Sequence, residues 1–280
     1  MKPFAAWMFP WMGILCFSGA LAQTEMLIDI DRGRMSDGAK VYQRAVLSKP
    51  AGPSQTALLT FRGMPGISRL QSVEDRMRNF LPFLRQHQKL FHDQGIAIVV
   101  MDCPTDQWGS PGSPPTACLD DYRSSIAHAD DVRSVMAVLR REHGFTEIYV
   151  MGHSIGTLSS RWLARNLGNE IAGSIHSASI NMDPQVFKRA AYGQSVWKIR
   201  YDFAAPALHV HNENDACRAT PYSVVRAYAG HNLVTVRGGI PEGDPCGAGH
   251  LHSHQGREEV VAKAVIAWIK SRKIETPVGD

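Results

Sequence analysis

The sequence predicts an α/β fold, with a mostly parallel, doubly wound sheet and helices on both faces. Short apolar runs alternate along the chain with longer segments whose apolar residues repeat at helical spacing, and this alternation is typical of parallel sheets. Several runs are apolar without interruption, as expected of strands covered on both faces. A chain of 280 residues suits one such domain, which we expect over residues 23–280.

The predicted elements are strands and helices in alternation. Strands are predicted at 57–61, 96–100, 147–151, 171–175, 207–210 and 233–236. Helices are predicted at 73–92, 121–142, 157–167 and 258–270. Pro82 is expected to kink the first helix. Segment 104–116, rich in glycine and proline, is predicted to be a loop, and 182–200 could form a small cap over the functional site.

The first 22 residues have the pattern of an export signal. A basic start and an apolar stretch end in Ala20-Leu21-Ala22, which predicts cleavage before Gln23. The alternative is an uncleaved anchor, since about 20 apolar residues can span a bilayer. Pro10 and Gly13 interrupt the stretch, so cleavage is favoured. We therefore expect a periplasmic or secreted protein without a stable membrane span.

Removal of this signal leaves four cysteines, Cys103, Cys118, Cys217 and Cys246. An even set in an exported protein predicts two disulfides, for which three connectivities exist. We favour Cys103–Cys118, which would close the glycine- and proline-rich loop. The other pair, Cys217–Cys246, would join the two loops that carry the acid and base candidates described below. Zinc binding is not indicated, because no C-x-x-C pair occurs.

The charge composition does not indicate a polyanionic partner. The chain has 30 Lys and Arg against 26 Asp and Glu, without a basic run. We therefore expect no nucleic-acid partner. The sequence gives no indication of the oligomeric state.

The central motif is Gly152-His153-Ser154-Ile155-Gly156. It follows a predicted strand directly and precedes a predicted helix, which is the setting of a nucleophilic serine on a sharp turn. Because Gly152 and Gly156 have no side chain, the strand and the helix could close around Ser154. The serine hydroxyl needs an adjacent base to react. The alternative is a tight glycine turn with a serine that caps the helix.

The acid candidate follows the strand predicted at 207–210. In folds with such a nucleophile turn, the acid and then the base follow the serine along the chain, each after a later strand. Asp215 stands at this point and is favoured over Glu213 in the same loop and Asp183 after the preceding strand. An Asn- and Asp-rich turn without catalytic function is the alternative.

Three histidines precede the last predicted helix, His250, His252 and His254. On an extended loop, residues at alternate positions would point the same way. This arrangement suits a catalytic base, a metal site or a surface cluster. Neither H-E-x-x-H nor C-x-x-C completes a familiar ligand set. A non-catalytic, exported metal-binding protein is therefore the alternative function.

Taken together, these motifs resemble those of bacterial exported α/β-hydrolases of mostly unassigned substrate. The matching residues are Gly152 to Thr157, His211, Asp215, Cys217, Thr220, Pro221, Pro245, Cys246, His252, Gly256 and Glu258. The resemblance selects His252 as the base, because it lies four residues before Gly256. The sequence departs from the family pattern at Ile155, Ser253 and His254, which leaves substrate preference open.

The resemblance also implies an oxyanion hole. Arg62-Gly63-Met64 is similar to the His-Gly-x turn of hydrolases, so the backbone N–H groups of Met64 and Ile155 are the expected donors. Pro65 has no N–H to donate. The implied activity is hydrolysis of a small-molecule carboxylic ester by a Ser-His-Asp triad, without a cofactor. Peptidase, thioesterase and lactonase activities on the same fold are alternatives.

Overall fold

A computed structural model describes residues 24–75, 81–109, 118–181 and 204–279. The predicted signal at 1–22, the possible cap at 182–200, the alternative acid Asp183 and most of the predicted loop at 104–116 lie outside the described residues.

The described strands form one eight-stranded sheet in the order β1-β2-β4-β3-β5-β6-β7-β8. The strands are β1 Thr24–Ser36, β2 Ala39–Lys49, β3 Thr56–Phe61, β4 Ile96–Met101, β5 Glu147–His153, β6 Gly173–Ser177, β7 Ala207–Asn212 and β8 Leu233–Val236. Within the group β3 to β8, every pair of neighbouring strands is parallel. All six predicted strands are present, and the one expected at 171–175 starts two residues later. The predicted fold class is confirmed.

The sequence prediction missed the first two strands, which form an antiparallel hairpin at the edge of the sheet. β1 is half-buried and alternates polar with apolar residues over much of its length, so it lacks a long continuous apolar run. Asp37 and Gly38 form the connecting turn with φ of 48° and 77°. This Asp-Gly pair is a hairpin signal that the sequence does contain.

The described helices of more than one turn are α1 Pro82–Asp93, α2 Asp120–Ser124, α3 Ile126–His143, α4 Gly156–Leu167, α5 Tyr222–Ala229 and α6 Glu258–Ser271. The helix predicted at 73–92 is described from Pro82 onward, after the non-helical residue Leu81, and residues 76–80 before it lie outside the described residues. Pro82 lies in the first turn of α1, where its missing N–H costs no hydrogen bond, and the non-helical residue within α1 is His87. The helix predicted at 121–142 is two helices. Ser125 is extended between them, and its Oγ accepts the His128 N–H at 3.1 Å to cap α3.

Two apolar clusters lie on opposite faces of the sheet. Leu58 of β3 packs with α1 and α6, whereas the next residue, Leu59, packs with α3 and α4. This alternation explains why the central strands are apolar on both faces. Of the described helices, none is both long enough and apolar enough to cross a membrane.

The carboxyl ends of the parallel strands meet at one edge of the sheet. β3 ends at Phe61, β5 at His153 and β7 at Asn212. The segments that leave these ends carry Met64, Ser154 and Asp215, so the topology brings three distant parts of the chain together.

Candidate active site

Ser154 lies at the turn between β5 and α4 and has φ of 54°, a region that residues with a side chain rarely adopt. Its N–H donates to the Ser177 carbonyl at 3.0 Å, and its own carbonyl accepts the Thr157 N–H at 2.9 Å. A side chain at Gly152 would collide with the Gly156 carbonyl, and one at Gly156 would collide with the backbone at the end of β3. The two glycines therefore allow strand, turn and helix to close around the serine.

His252 and Asp215 form a buried contact. His252 Nδ1 lies 3.0 Å from Asp215 Oδ2, and the two side chains are 1% and 0% exposed. Because a carboxylate oxygen can only accept, Nδ1 carries the proton and Nε2 presents its lone pair. Within the described ranges, this buried Nε2 has no hydrogen-bond partner. His252 and Ser154 line the same cleft without a direct hydrogen bond between them in this part of the chain.

Asp215 is held in its ionised form. Its Oδ1 accepts the Cys217 N–H at 2.9 Å. Burial by itself raises the pKa of Asp215, but hydrogen bonds from His211 and His252 outweigh burial and hold this pKa well below its usual range. The competing acid Glu213 instead forms an ion pair with Arg237 at 3.2 Å.

The three histidines do not point the same way, so the extended loop expected around them is wrong. Leu251–Ser253 is a turn of 3₁₀ helix, and His254 follows with φ of 61°. His252 faces Asp215, whereas His254 Nε2 lies 2.8 Å from Ser177 Oγ. Across the described residues, no group of three or more His, Cys, Asp or Glu side chains could hold a metal ion.

His153 is a site residue to which the sequence analysis gave no role. Its ring centroid lies 5.0 Å from that of His252, and its Nδ1 is 3.1 Å from Ser177 Oγ. Burial, with the neighbouring His252 and His254, lowers the pKa of His153 well below its usual value. A neutral ring therefore packs against His252 in the wall of the cleft.

The expected oxyanion turn packs directly against the nucleophile. A Cβ placed on Gly63 would lie 3.3 Å from Ser154 Cβ. The Gly66 N–H donates to the Gly63 carbonyl at 2.8 Å and closes the turn around Met64. Met64 in this turn and Ser154 thus line the same cleft, and Ile155 follows Ser154 directly in the chain.

Arg123 joins this turn to the helix that carries the nucleophile. The side chain is buried and donates to the Gly66 carbonyl, to Ser159 Oγ at 2.8 Å and to the Cys118 carbonyl at 3.0 Å. Its contacts span the oxyanion turn, α4 and a cysteine. The sequence analysis missed this residue, because an arginine beside two aspartates has the pattern of a surface charge.

Asp102, at the end of β4, holds the chain that follows the turn. Its carboxylate accepts the N–H groups of Ser68 at 2.9 Å, Leu70 at 2.8 Å and Cys103 at 2.8 Å. Burial raises the pKa of Asp102 to about 6 despite these hydrogen bonds. The contacts are all to backbone, so Asp102 fixes the course of the chain rather than a side chain.

Both predicted disulfides are present. Cys103–Cys118 has a Cα–Cα distance of 6.1 Å, and Cys217–Cys246 has one of 4.7 Å, both within the usual range. Cys103 Sγ lies 3.8 Å from the Gly66 carbonyl of the oxyanion turn. Cys246 lines the cleft. Cys103–Cys118 therefore lies beside the expected oxyanion turn, and Cys217–Cys246 lies at the cleft.

The cleft has a volume of about 430 Å³. Its described lining comprises Arg62, Gly63, Met64, Leu81, Arg85, His153, Ser154, Asp244, Cys246, Gly247, Ala248, His252 and Ser253. Seven of these thirteen residues are polar or charged, and burial lowers the pKa of Arg62. The arrangement combines a serine, a histidine with one nitrogen fixed by a carboxylate, and two backbone segments beside the serine.

A model of the alpha/beta hydrolase fold family matches residues 57–201, just over half of the chain. Among solved structures, Est1E from Butyrivibrio proteoclasticus is similar at a TM-score of 0.57 and 17% identity, with 88% of this chain and 98% of that chain covered. A putative dienelactone hydrolase from Klebsiella pneumoniae is similar at a TM-score of 0.55 and 13% identity, with 89% of this chain and 99% of that chain covered. XC6422 of Xanthomonas campestris, described as an a/b serine hydrolase without lid, is similar at a TM-score of 0.53 and 13% identity, with 90% of this chain and 97% of that chain covered. No curated protein matches the chain.

Proposed function

Because this chain belongs to the alpha/beta hydrolase family, we propose that it is a serine hydrolase that cleaves carboxylic esters. Ser154 is the nucleophile, His252 the general base and Asp215 the acid of the triad. The observation that carries the proposal is the buried contact of His252 Nδ1 with Asp215 Oδ2, at 3.0 Å, in the wall of the cleft that Ser154 also lines.

Acylation starts at the serine. Ser154 Oγ attacks the ester carbonyl carbon while His252 Nε2 takes its proton. The ionised Asp215 stabilises the imidazolium that forms and keeps Nδ1 as the donor. The backbone N–H groups of Met64 and Ile155 donate to the developing oxyanion. His252 then protonates the alcohol oxygen, and the alcohol leaves.

Deacylation repeats the same steps with water. His252 Nε2 takes a proton from a water molecule, which attacks the acyl carbon bound to Ser154 Oγ. The second tetrahedral intermediate uses the same backbone donors. Its collapse releases the carboxylic acid and returns the proton to Ser154, so the cycle consumes one water and requires no cofactor.

An ester is the preferred substrate class because an alcohol leaves with less assistance than an amine. Thioesters, lactones and amides share the same acyl chemistry and serve as alternatives in the test. Short acyl groups are expected to react best, since the described lining offers three apolar side chains, Met64, Leu81 and Ala248. A ferulate ester belongs in the panel, because Est1E was also solved with ferulic acid bound.

Fluorophosphonate labelling tests the proposal. The wild-type protein should be labelled, and Ser154→Ala should abolish labelling and lower ester hydrolysis by several powers of ten. Ser271→Ala is the matched control, since this exposed serine bonds only to its own helix in the described contacts. An unlabelled wild-type protein would contradict the hydrolase. Tight zinc binding without labelling would favour the metal-binding alternative.

We also propose that residues 1–22 are an export signal and that residues 23–280 form a single domain in the periplasm or outside the cell. The two disulfides support an oxidising compartment. Mass spectrometry of the purified protein should find Gln23 at the N-terminus and no free thiol among the four remaining cysteines.

A further inference from the structure

Asp215 Oδ2 contacts two imidazoles, of which the proposed mechanism uses one. Besides His252 Nδ1 at 3.0 Å, it lies 2.8 Å from Thr220 Oγ1 and 3.2 Å from His211 Nε2. His211 and Thr220 are fully buried, as is the carboxylate. Three donors therefore converge on one carboxylate oxygen away from solvent.

The contacts of His211 determine which of its nitrogens carries the proton. Nε2 lies 2.9 Å from the Thr220 carbonyl oxygen and 3.2 Å from Asp215 Oδ2. Both neighbours can only accept, so Nε2 carries the proton and donates. The buried Nδ1 has no hydrogen-bond partner within the described ranges. The single N–H of the ring is thus shared between the Thr220 carbonyl, which is the closer acceptor, and Asp215 Oδ2.

Local sequence places the two residues together. His211 is next to last in β7, and a tight turn follows, in which the Asp215 N–H donates to the Asn212 carbonyl at 3.1 Å. Asn212 Oδ1 also accepts the Asn214 N–H at 2.9 Å. The chain therefore folds back after the strand and sets the carboxylate beside the ring four residues earlier.

We propose that His211 is a positioning residue that acts on the reaction through Asp215. Its Nε2–H and the Thr220 hydroxyl hold the carboxylate so that Oδ2 faces His252. A buried carboxylate that loses such a donor is poorly solvated and is free to rotate away from the imidazole. The other ionisable groups that interact with this carboxylate are His252, His153 and His254.

This inference rests on the proposed function, and a double-mutant cycle separates it from a purely structural role. His211→Leu removes the donor, whereas His211→Gln keeps an N–H within reach of the same point. We expect His211→Leu to slow ester hydrolysis about 10- to 100-fold with KM nearly unchanged, the range produced by losing a hydrogen bond to a charged group. His211→Gln should recover most of this loss.

In an Asp215→Ala background, His211→Leu should change the rate of fluorophosphonate labelling less than about threefold, because its route to the reaction is already removed. Equal losses in both backgrounds, or full activity of His211→Leu, would overturn the inference while leaving the hydrolase intact. A wild-type protein that is not labelled would contradict both the proposed hydrolase function and the role of His211. Independently of catalysis, ¹⁵N NMR of labelled histidine should find His211 protonated at Nε2, and protonation at Nδ1 alone would also overturn the inference.

Discussion

The two walls beside Ser154 are held in different ways. The base wall, formed by Asp215 and the turn Leu251–Ser253, depends on side chains that converge on one buried carboxylate. The oxyanion wall, the turn from Arg62 to Gly66, depends on close glycine packing and on Arg123, which donates to a carbonyl of the turn. In the proposed mechanism, the first wall supplies side-chain atoms to the reaction, and the second supplies backbone N–H groups.

This difference has a consequence for substitutions. On the base wall, the proposed chemistry is performed by side chains, so substitution of such a residue removes its reacting group directly. On the oxyanion wall, the donor survives a change of its own side chain, and a more distant residue that fixes the backbone has the larger effect. Four substitutions follow in decreasing order of expected effect, of which three test this comparison and one, His128→Phe, tests the stability of the fold.

Asp215→Asn should have the largest effect, lowering kcat about 10³- to 10⁴-fold, because an amide favours the wrong tautomer of His252. Glu213→Gln is the matched control, since Glu213 lies in the same loop and pairs with Arg237 instead. Steady-state ester hydrolysis measures both. An inactive Glu213→Gln beside an active Asp215→Asn would reverse the assignment of the acid.

Arg123→Met should lower kcat about 10- to 100-fold with a small change in KM, because the two oxyanion donors lose their common alignment. Affinity for a boronic acid that mimics the tetrahedral intermediate should fall in parallel. Arg133→Met on α3 is the control, since its contacts are to Asp130, Glu170 and Asn166. If KM rose and the boronate affinity stayed constant, Arg123 would act on substrate binding rather than on the oxyanion wall.

His128→Phe should alter stability at low pH rather than catalysis. Burial, followed by the charge of Arg123, lowers the pKa of His128 to about 3, from 6.5 in the unfolded chain. The unfolded state therefore binds more protons between these values, and stability is lost as pH falls below about 6.5. Urea unfolding should show that, between pH 7.5 and pH 4.5, the variant loses about 3 kcal/mol less free energy of unfolding than the wild type. The control His231→Gln, at an exposed position, should show the same dependence of the free energy of unfolding on pH as the wild type. If His128→Phe also showed the wild-type dependence, the lowered pKa of His128 would be refuted.

Met64→Ala should have the smallest effect, less than about threefold on kcat, because the expected contribution of Met64 is its backbone N–H. Its side chain is 45% exposed and supports no core contact in the described structure. Ester kinetics with short and long acyl chains measure the change. A loss of the size expected for Arg123→Met would indicate that the Met64 side chain binds the substrate.

The fold could be predicted largely from burial. Strands β3 to β8 are covered on both faces, and this requirement leaves continuous apolar runs in the sequence. β1 lies at the edge, where all its residues but Ile28 are at least partly exposed, and its alternation of polar and apolar residues gave no such run. Both predicted disulfide pairs are present, and each joins two cysteines that are consecutive among the four in chain order.

The site could be predicted less completely, because its details depend on distant contacts. The spacing of His250, His252 and His254 was interpreted as extended, but the left-handed conformation of His254 turns its ring toward Ser177. Arg123 is buried only after the chain around Cys118 folds over it. Neither contact leaves a periodic signal in the sequence.

The two disulfides also act on the unfolded chain. They close loops with sequence separations of 15 and 29 residues, and by the chain-entropy relation each removes about 3 to 4 kcal/mol of conformational freedom from the denatured ensemble. The walls of the cleft are glycine-rich and polar, and such segments bury little apolar surface with which to offset the entropy of ordering. The cross-links offset part of this entropy, and so help the protein to keep an ordered cleft whose lining includes charged and polar groups.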